Sequence, residues 1–206
     1  LVLKSDGTLF AWGENDSGET NIPAGLSNVV AIAAGAAHNL VLEANGTVVA
    51  WGLNAYGEIN VSLNATNVVA IAAGGWHSLA LKGDGTVLAW GAGIGSNTNV
   101  DYGQNIVPPN LTNVIQIAAG DLHSLALMGT APPVTRAAPV RPGFGTNGFG
   151  FWLPTRNGRV YRLEFKNSLA ESVWQTLPLV AGTGGLVQFT DSAPASIQRF
   201  YRVQQW

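Results

Sequence analysis

Two dipeptides hold the side chains best suited to nucleophilic chemistry: His77-Ser78 and His123-Ser124 each set an imidazole beside a hydroxyl. A serine becomes a nucleophile when a histidine within hydrogen-bond reach takes its proton. Both dipeptides open the short apolar run His-Ser-Leu-Ala-Leu, which reads as a strand. Adjacent residues of a strand face opposite sides, so the pair cannot share that proton. The third histidine, His38, is followed by Asn39, a further reason to doubt catalysis. Three histidines would also suffice for zinc with one position left open to water. His38, His77 and His123 occupy matching places in a repeat, however, and would meet only down a shared central channel. They read as structural, with no metal and no cofactor implied. Asp101 and Asp121 are the carboxylates that could flank a cleft for glycoside hydrolysis, but their spacing does not require them to meet. The glycines lack the strand-to-helix setting of a phosphate cradle.

The elements that position these residues repeat. Leu1-Val-Leu-Lys-Ser-Asp-Gly-Thr-Leu-Phe-Ala-Trp-Gly13 returns as Leu40-Val-Leu-Glu-Ala-Asn-Gly-Thr-Val-Val-Ala-Trp-Gly52 and as Leu79-Ala-Leu-Lys-Gly-Asp-Gly-Thr-Val-Leu-Ala-Trp-Gly91. Trp12, Trp51 and Trp90 mark its 39-residue period. A second block, Val29-Val-Ala-Ile-Ala-Ala-Gly35-x-x-His38, returns at 68–77 and, after seven extra residues, at 114–123. Repeat periods near 40 residues belong to propellers and solenoids. Asn-Gly and Asp-Gly between apolar runs predict a hairpin with a type I′ turn. The Val-Val-Ala-Ile-Ala-Ala block predicts another strand, small enough in its side chains for a crowded axis. Asn21-Ile-Pro23 predicts a fourth, at the outer edge where proline is tolerated. Four strands per repeat make a propeller blade.

Ala-Ala-Gly-x-x-His-x-Leu-x-Leu followed by Asp-Gly-Thr-Val-x-Ala-Trp-Gly resembles the repeat of the regulator-of-chromosome-condensation (RCC1) family over roughly residues 1–128. The compact spacing around Gly18-Glu-Thr-Asn-Ile-Pro23 is similar to the bacterial form found among type-II β-lactamase inhibitory proteins. The resemblance implies propeller blades serving as a protein-binding platform. In that inhibitor family, loop aromatics on one face contact the partner, including the position just before the repeat histidine. That position is Trp76 here, with Ala37 and Leu122 in the other repeats; Tyr56 and Tyr102 lie in the loops after Trp51 and Trp90. The chain enters mid-repeat and has too few blades for a usual closed ring. Two readings follow: a piece of a longer propeller, or a last block, Ile115–Leu127, completed by a neighbouring chain's N-terminal strands.

Composition agrees with an all-β protein: 26 glycines and 10 prolines among 206 residues, and only 11% charged residues. Without cysteine, disulfides and thiolate metal sites are excluded. No stretch reads as a membrane span or a signal peptide. The net charge of −2 hides an asymmetry: residues 1–129 carry two basic and nine acidic side chains, a net of −7, and residues 130–206 carry eight basic and three acidic, a net of +5. Neither half shows the dense basic stripe of a nucleic-acid-binding surface, while the opposite signs suggest docking within or between chains. Several Asn-x-Ser/Thr triplets, those at Asn45, Asn60, Asn64 and Asn110 among them, read as turns in a bacterial protein.

The expected organisation is therefore propeller repeats over 1–129, a Pro/Gly-rich linker over 130–148 and a small antiparallel β-sandwich-like module over 149–206. Within that module, Tyr161, Leu163 and Phe165 alternate with Arg162 and Glu164, the pattern of a half-buried strand. It resembles modules that end many large secreted bacterial proteins, which implies an extracellular or cell-surface setting. The function expected is a protein-binding or structural interaction module that takes a protein partner or self-associates. The candidate contacts are Trp76, Tyr56, Tyr102, Asp101, Asp121 and Leu122. The alternative is a polysaccharide-binding or polysaccharide-processing protein using the enlarged 91–110 loop.

Overall fold

The computed structural model describes residues 1–4, 6–92, 100–129, 139–145, 148–192 and 199–206. The chain divides into two compact units, Leu1–Ala131 and Pro132–Trp206. Among the described residues every regular element is a strand.

In the first unit, β1 (Val2–Leu3) and β2 (Leu9–Phe10) form a short hairpin. Two full sheets follow. The strands β3 (Val29–Ala34), β4 (His38–Glu43) and β5 (Val48–Gly52) make one, and β6 (Val68–Ala73), β7 (His77–Lys82) and β8 (Val87–Gly91) the other, each antiparallel and in sequence order. Finally β9 (Val114–Ala119) pairs with β10 (Ser124–Met128) alone. The full sheets share one register: His38 faces Gly52 and Asn39 faces Trp51, as His77 faces Gly91 and Ser78 faces Trp90. Successive sheets pack on one another, β6 against β3 and β4, and β9 against β6 and β7. These are propeller blades, and no sheet closes on itself among the described residues. Leu1, Leu3, Leu9, Ile22, Leu26 and Ile32 pack around Val29, Val41 and Trp51 to make the core between the first hairpin and the first full blade.

Two local expectations are corrected. The hairpin turns are not type I′, which requires φ > 0 at both central residues. Asn45 has an ordinary negative φ, Gly46 alone is left-handed at +87°, and Gly46 N donates to Glu43 O over 2.9 Å. This is a type I turn closed by a left-handed glycine. The Asn or Asp acts through its side chain instead, accepting the backbone N–H two residues on: Thr8 N to Asp6 Oδ1 (2.9 Å), Thr47 N to Asn45 Oδ1 (2.8 Å) and Thr86 N to Asp84 Oδ1 (3.0 Å). The hydrogen bonds from Thr8 hold the Asp6 carboxyl down at about 2.

The fourth strand is also absent at Asn21-Ile-Pro23, and among the described residues each full blade has three. Around Asn21-Ile-Pro23 the backbone turns on itself, with Asn21 N donating to Gly18 O and Ile22 N to Thr20 O. Pro23 has no N–H to give a ladder.

In the second unit, β11 (Val140–Gly145), β12 (Gly148–Pro154) and β15 (Leu186–Asp191) form one sheet, and β14 (Gln175–Ala181), β13 (Val160–Lys166) and β16 (Phe200–Gln205) the other. Phe151, Leu153 and Phe189 of the first meet Tyr161, Leu163 and Val203 of the second in one core, so the module is a two-sheet sandwich. Val140–Gly145, in the span expected as linker, is a strand that pairs with β12 despite Pro142; the register shifts between Val140 and Gly143, which keeps the proline out of the ladder. The strand β13 is buried along its whole length rather than on one face. Its charged side is covered: Glu164 Oε2 accepts from Arg202 Nε (2.6 Å), Arg162 lies on the Trp206 ring and Lys166 on the Trp174 ring.

The observed turn geometry separates two substitutions. Gly46→Ala forces a Cβ into left-handed backbone and should cost about 1–2 kcal/mol. Asn45→Ala loses one side-chain hydrogen bond and should cost about 1 kcal/mol or less. Urea unfolding of the two variants checks this, and a larger loss for Asn45→Ala would restore the type I′ reading.

Candidate functional site

Each repeat histidine sits where the chain doubles back from the first blade strand to the second. The turn is closed by Gly35 N on His38 O, Gly74 N on His77 O and Gly120 N on His123 O, all at 2.8–2.9 Å. The imidazole folds back over the glycine. A Cβ at Gly74 would stand 2.2 Å from the His77 ring, and Gly35 and Gly120 are as crowded by His38 and His123. The Gly-x-x-His spacing therefore encodes a contact in which a ring occupies the space of a missing side chain.

The histidines do reach serines, but across blades rather than within a dipeptide. His38 Nε2 lies 3.0 Å from Ser78 Oγ, and His77 Nε2 lies 3.0 Å from Ser124 Oγ. The serine proton has another destination: Ser78 Oγ donates to Glu58 O (2.9 Å) and Ser124 Oγ to Gln104 O (2.6 Å). A hydroxyl has one proton, so the histidine must be the donor at Nε2. A general base needs the reverse order, and the arrangement is a clasp between blades. The Glu58 carbonyl also takes an indole, from Trp90 Nε1 (2.7 Å), and the matching carbonyl one repeat earlier, Glu19 O, accepts Trp51 Nε1 (2.9 Å) and Asn39 Nδ2 (2.8 Å). Glu19, Glu58 and Gln104 were not singled out from sequence. The signal was present, since each follows a glycine at a fixed place in the repeat, 20 residues before Asn39, Ser78 and Ser124. Their side chains brace the same loops, accepting from Ser17 N, Tyr56 N and Tyr102 N.

Burial sets the protonation of the clasp. Desolvation, aided by the neighbouring His77, pulls His38 from 6.5 down to about 4. His77 is lowered as well, by desolvation and then by His123, with Asp121 opposing. Both imidazoles are therefore neutral at pH 7, each donating at Nε2 with Nδ1 packed on glycine. Among the described residues no three His, Asp or Glu side chains converge to hold a metal ion.

Of the residues proposed as contacts, Tyr56 and Trp76 come together, their rings edge to face at 5.3 Å and both half-buried. Trp76 is held by its carbonyl, which accepts Ala92 N (2.6 Å), and Tyr56 by its amide on buried Glu58. Asp121 adjoins this turn: Gly75 N donates to Asp121 O (3.0 Å), and a Cβ at Gly75 would collide with Asp121 Oδ1. Leu122 is half-buried in the next turn. Asp101 accepts Gly103 N (3.1 Å) in a solvent-facing loop, and Tyr102 beside it is exposed. The 91–110 loop lies partly outside the described residues, at 93–99. Trp51 and Trp90 are buried, whereas Trp12 is exposed.

Residues 29–58 and 68–104 match the family model described as regulator of chromosome condensation (RCC1) repeat. The two full blades are thus RCC1-type repeats. No curated protein matches the chain. Among solved structures, it is similar to the ectodomain of the Physcomitrella patens receptor kinase CR4, with 15% identity over 91% of this chain and 58% of that one and a TM-score of 0.45. It is also similar to Prp20p of Saccharomyces cerevisiae, described with its binding to Gsp1p and histones, with 19% identity over 98% of this chain and 52% of that one and a TM-score of 0.47. The chain spans little more than half the length of either.

A buried neutral histidine makes stability depend on pH. Between about pH 6.5 and 4 the unfolded chain takes up a proton at His38 that the folded blade refuses, so stability is full above 6.5 and falls as pH drops through this window. The His38 contribution is about 3 kcal/mol. Urea midpoints of the wild type should decline from pH 7 to pH 4, and His38→Gln should flatten that decline; an unchanged slope would refute the clasp's role.

Proposed function

We propose that this chain is an extracellular protein-interaction module built on RCC1-type propeller repeats, with the Tyr56–Trp76 pair as its anchor. The observation that carries this reading is the pair itself. Its backbone is fixed by buried groups, yet both residues remain partly exposed, in the one repeat that puts an aromatic residue before the histidine. Rigid, partly exposed Tyr and Trp bring large contact area at low entropic cost, which is why they dominate the energetics of protein interfaces. The extracellular assignment is supported by the likeness of the sandwich module to those that end secreted bacterial proteins. The tyrosine at position 102, exposed beside Asp101, supports a second reading as a polysaccharide surface.

Purified chain screened against fractionated secreted proteins and, separately, a glycan array discriminates the two. A protein ligand should be found whose affinity falls at least about tenfold, or 1.4 kcal/mol, in Trp76→Ala and Tyr56→Ala with the melting temperature little changed. A ligand indifferent to both but lost in Tyr102→Ala and Asp101→Asn would move the function to the polysaccharide reading.

A further inference from the structure

The strand that follows His123 has the sequence of the one that follows His77, Ser-Leu-Ala-Leu, in opposite surroundings. Leu79 and Leu81 are 2% and 0% exposed; Leu125 and Leu127 are 59% and 56% exposed. The difference lies in the neighbouring strands. β7 lies between β6 and β8, whereas β10 has β9 on one edge and no strand on the other among the described residues. The sequence after Met128, Gly-Thr-Ala-Pro-Pro-Val, does not repeat the Val-x-Ala-Trp-Gly run that forms β5 and β8.

The preceding blade specifies what fits that edge. Ser78 faces Trp90 and Leu79 faces Ala89, and the Trp90 indole donates to Glu58 O. In the last blade the matching carbonyl, Gln104 O, receives Ser124 Oγ and no indole among the described residues. The chain also holds one such strand whose indole is unburied: Leu9-Phe10-Ala11-Trp12-Gly13, with Trp12 69% exposed. β2 is paired with β1 at only two positions, Val2 to Phe10 and Leu3 to Leu9, so Ala11–Gly13 extend past that pairing.

We propose that copies of this chain associate head to tail by strand exchange. β2 of one copy gives up its two pairings with β1 and the packing of Leu9 on the first-blade core, and adds to the edge of β10 that no described strand occupies in the next, placing Ala11 opposite Leu125 and Trp12 opposite Ser124, with the indole donating to Gln104 O. Strand addition to an open sheet edge satisfies its backbone groups and covers its apolar side chains together. The contact joins two different surfaces, so it closes into a ring or extends into a chain of subunits.

The chain has no cysteine, which makes cross-linking a direct test. Single-cysteine variants Ala11→Cys and Leu125→Cys, mixed and oxidised, should form a disulfide dimer about tenfold or more faster than Ala11→Cys mixed with Leu63→Cys, a control in a fully exposed loop. Wild-type chain should sediment above its monomer mass of 21.5 kDa. Trp12→Ala, which removes no buried side chain, should shift it to monomer with its circular dichroism intact. A wild-type monomer at every concentration reached, an unchanged mass in Trp12→Ala, or cross-linking no faster than the control would each overturn the proposal.

Discussion

One backbone oxygen, the carbonyl of Glu58, carries the junction between the two full blades. It accepts the Trp90 indole and the Ser78 hydroxyl, and Ser78 in turn accepts from His38. Three segments far apart in sequence meet there: the loop leaving one blade, the second strand of that blade and the outer two strands of the next. A carbonyl has two lone pairs, and both are used. Because the site is buried, losing either donor would leave a polar group without water to replace it, at about 1–3 kcal/mol. The arrangement at Glu19 is the same with Asn39 in the serine's place, since an amide supplies the donor that the carbonyl requires.

The direction of these hydrogen bonds also decides the chemistry. Had the serine proton pointed at the histidine, the pair would resemble an activated nucleophile; the carbonyl claims that proton first, and histidine is left to donate. Nε2 can donate in either charge state of the ring; burial keeps the ring neutral, so Nδ1 carries no proton that needs a partner. Packing that nitrogen against glycine, where a Cβ cannot enter, provides both the desolvation and the space. Glycine, histidine, the donor after it and the distant carbonyl are therefore one device. Changing any of them disturbs contact between blades before it disturbs a single strand.

Much of this could be read from the sequence, and the remainder shows what periodicity omits. The 39-residue period located the hairpins, and the Gly-x-x-His block located the blade's first turn, because both depend on local backbone chemistry. The turn type was misread because Asn-Gly and Asp-Gly occur in two geometries. Threonine two residues after the Asp or Asn separates them, by offering its N–H to the side chain. The fourth strand failed because Ile22 and Pro23 have strand-like composition, but their backbone groups are spent on turns. The carbonyl acceptors were invisible as such, since any residue supplies a carbonyl. Only the recurrence of Gly-Glu, Gly-Glu and Gly-Gln marked where they lie. That Tyr56 meets Trp76, 20 residues on, depends on tertiary packing that no local pattern records.

The opposite net charges of the two sequence halves look different once the groups are located. In the first unit the acidic excess is built from loop acceptors: Asp6, Asp84, Asp101, Glu19, Glu43 and Glu58 each take a backbone N–H. In the sandwich the basic excess is partly spent inside. Arg202 bridges Glu164 and lies over Trp174, Lys166 lies over the same ring, Arg162 over Trp206, and Arg199 pairs with buried Asp191 while covering Phe165. Burial of the ring, and then the hydrogen bond to Asp191 and its charge, raises the neighbouring Tyr201 to about 12, with Arg199 opposing. Half of the eight basic side chains thus act as lids on aromatic rings, where guanidinium and ammonium stems bury apolar surface while keeping their charge satisfied. Net charge therefore overstates the field either unit offers a partner. Among the described residues, the surface features suited to association are the exposed aromatic rings and the edge of β10 that no described strand covers.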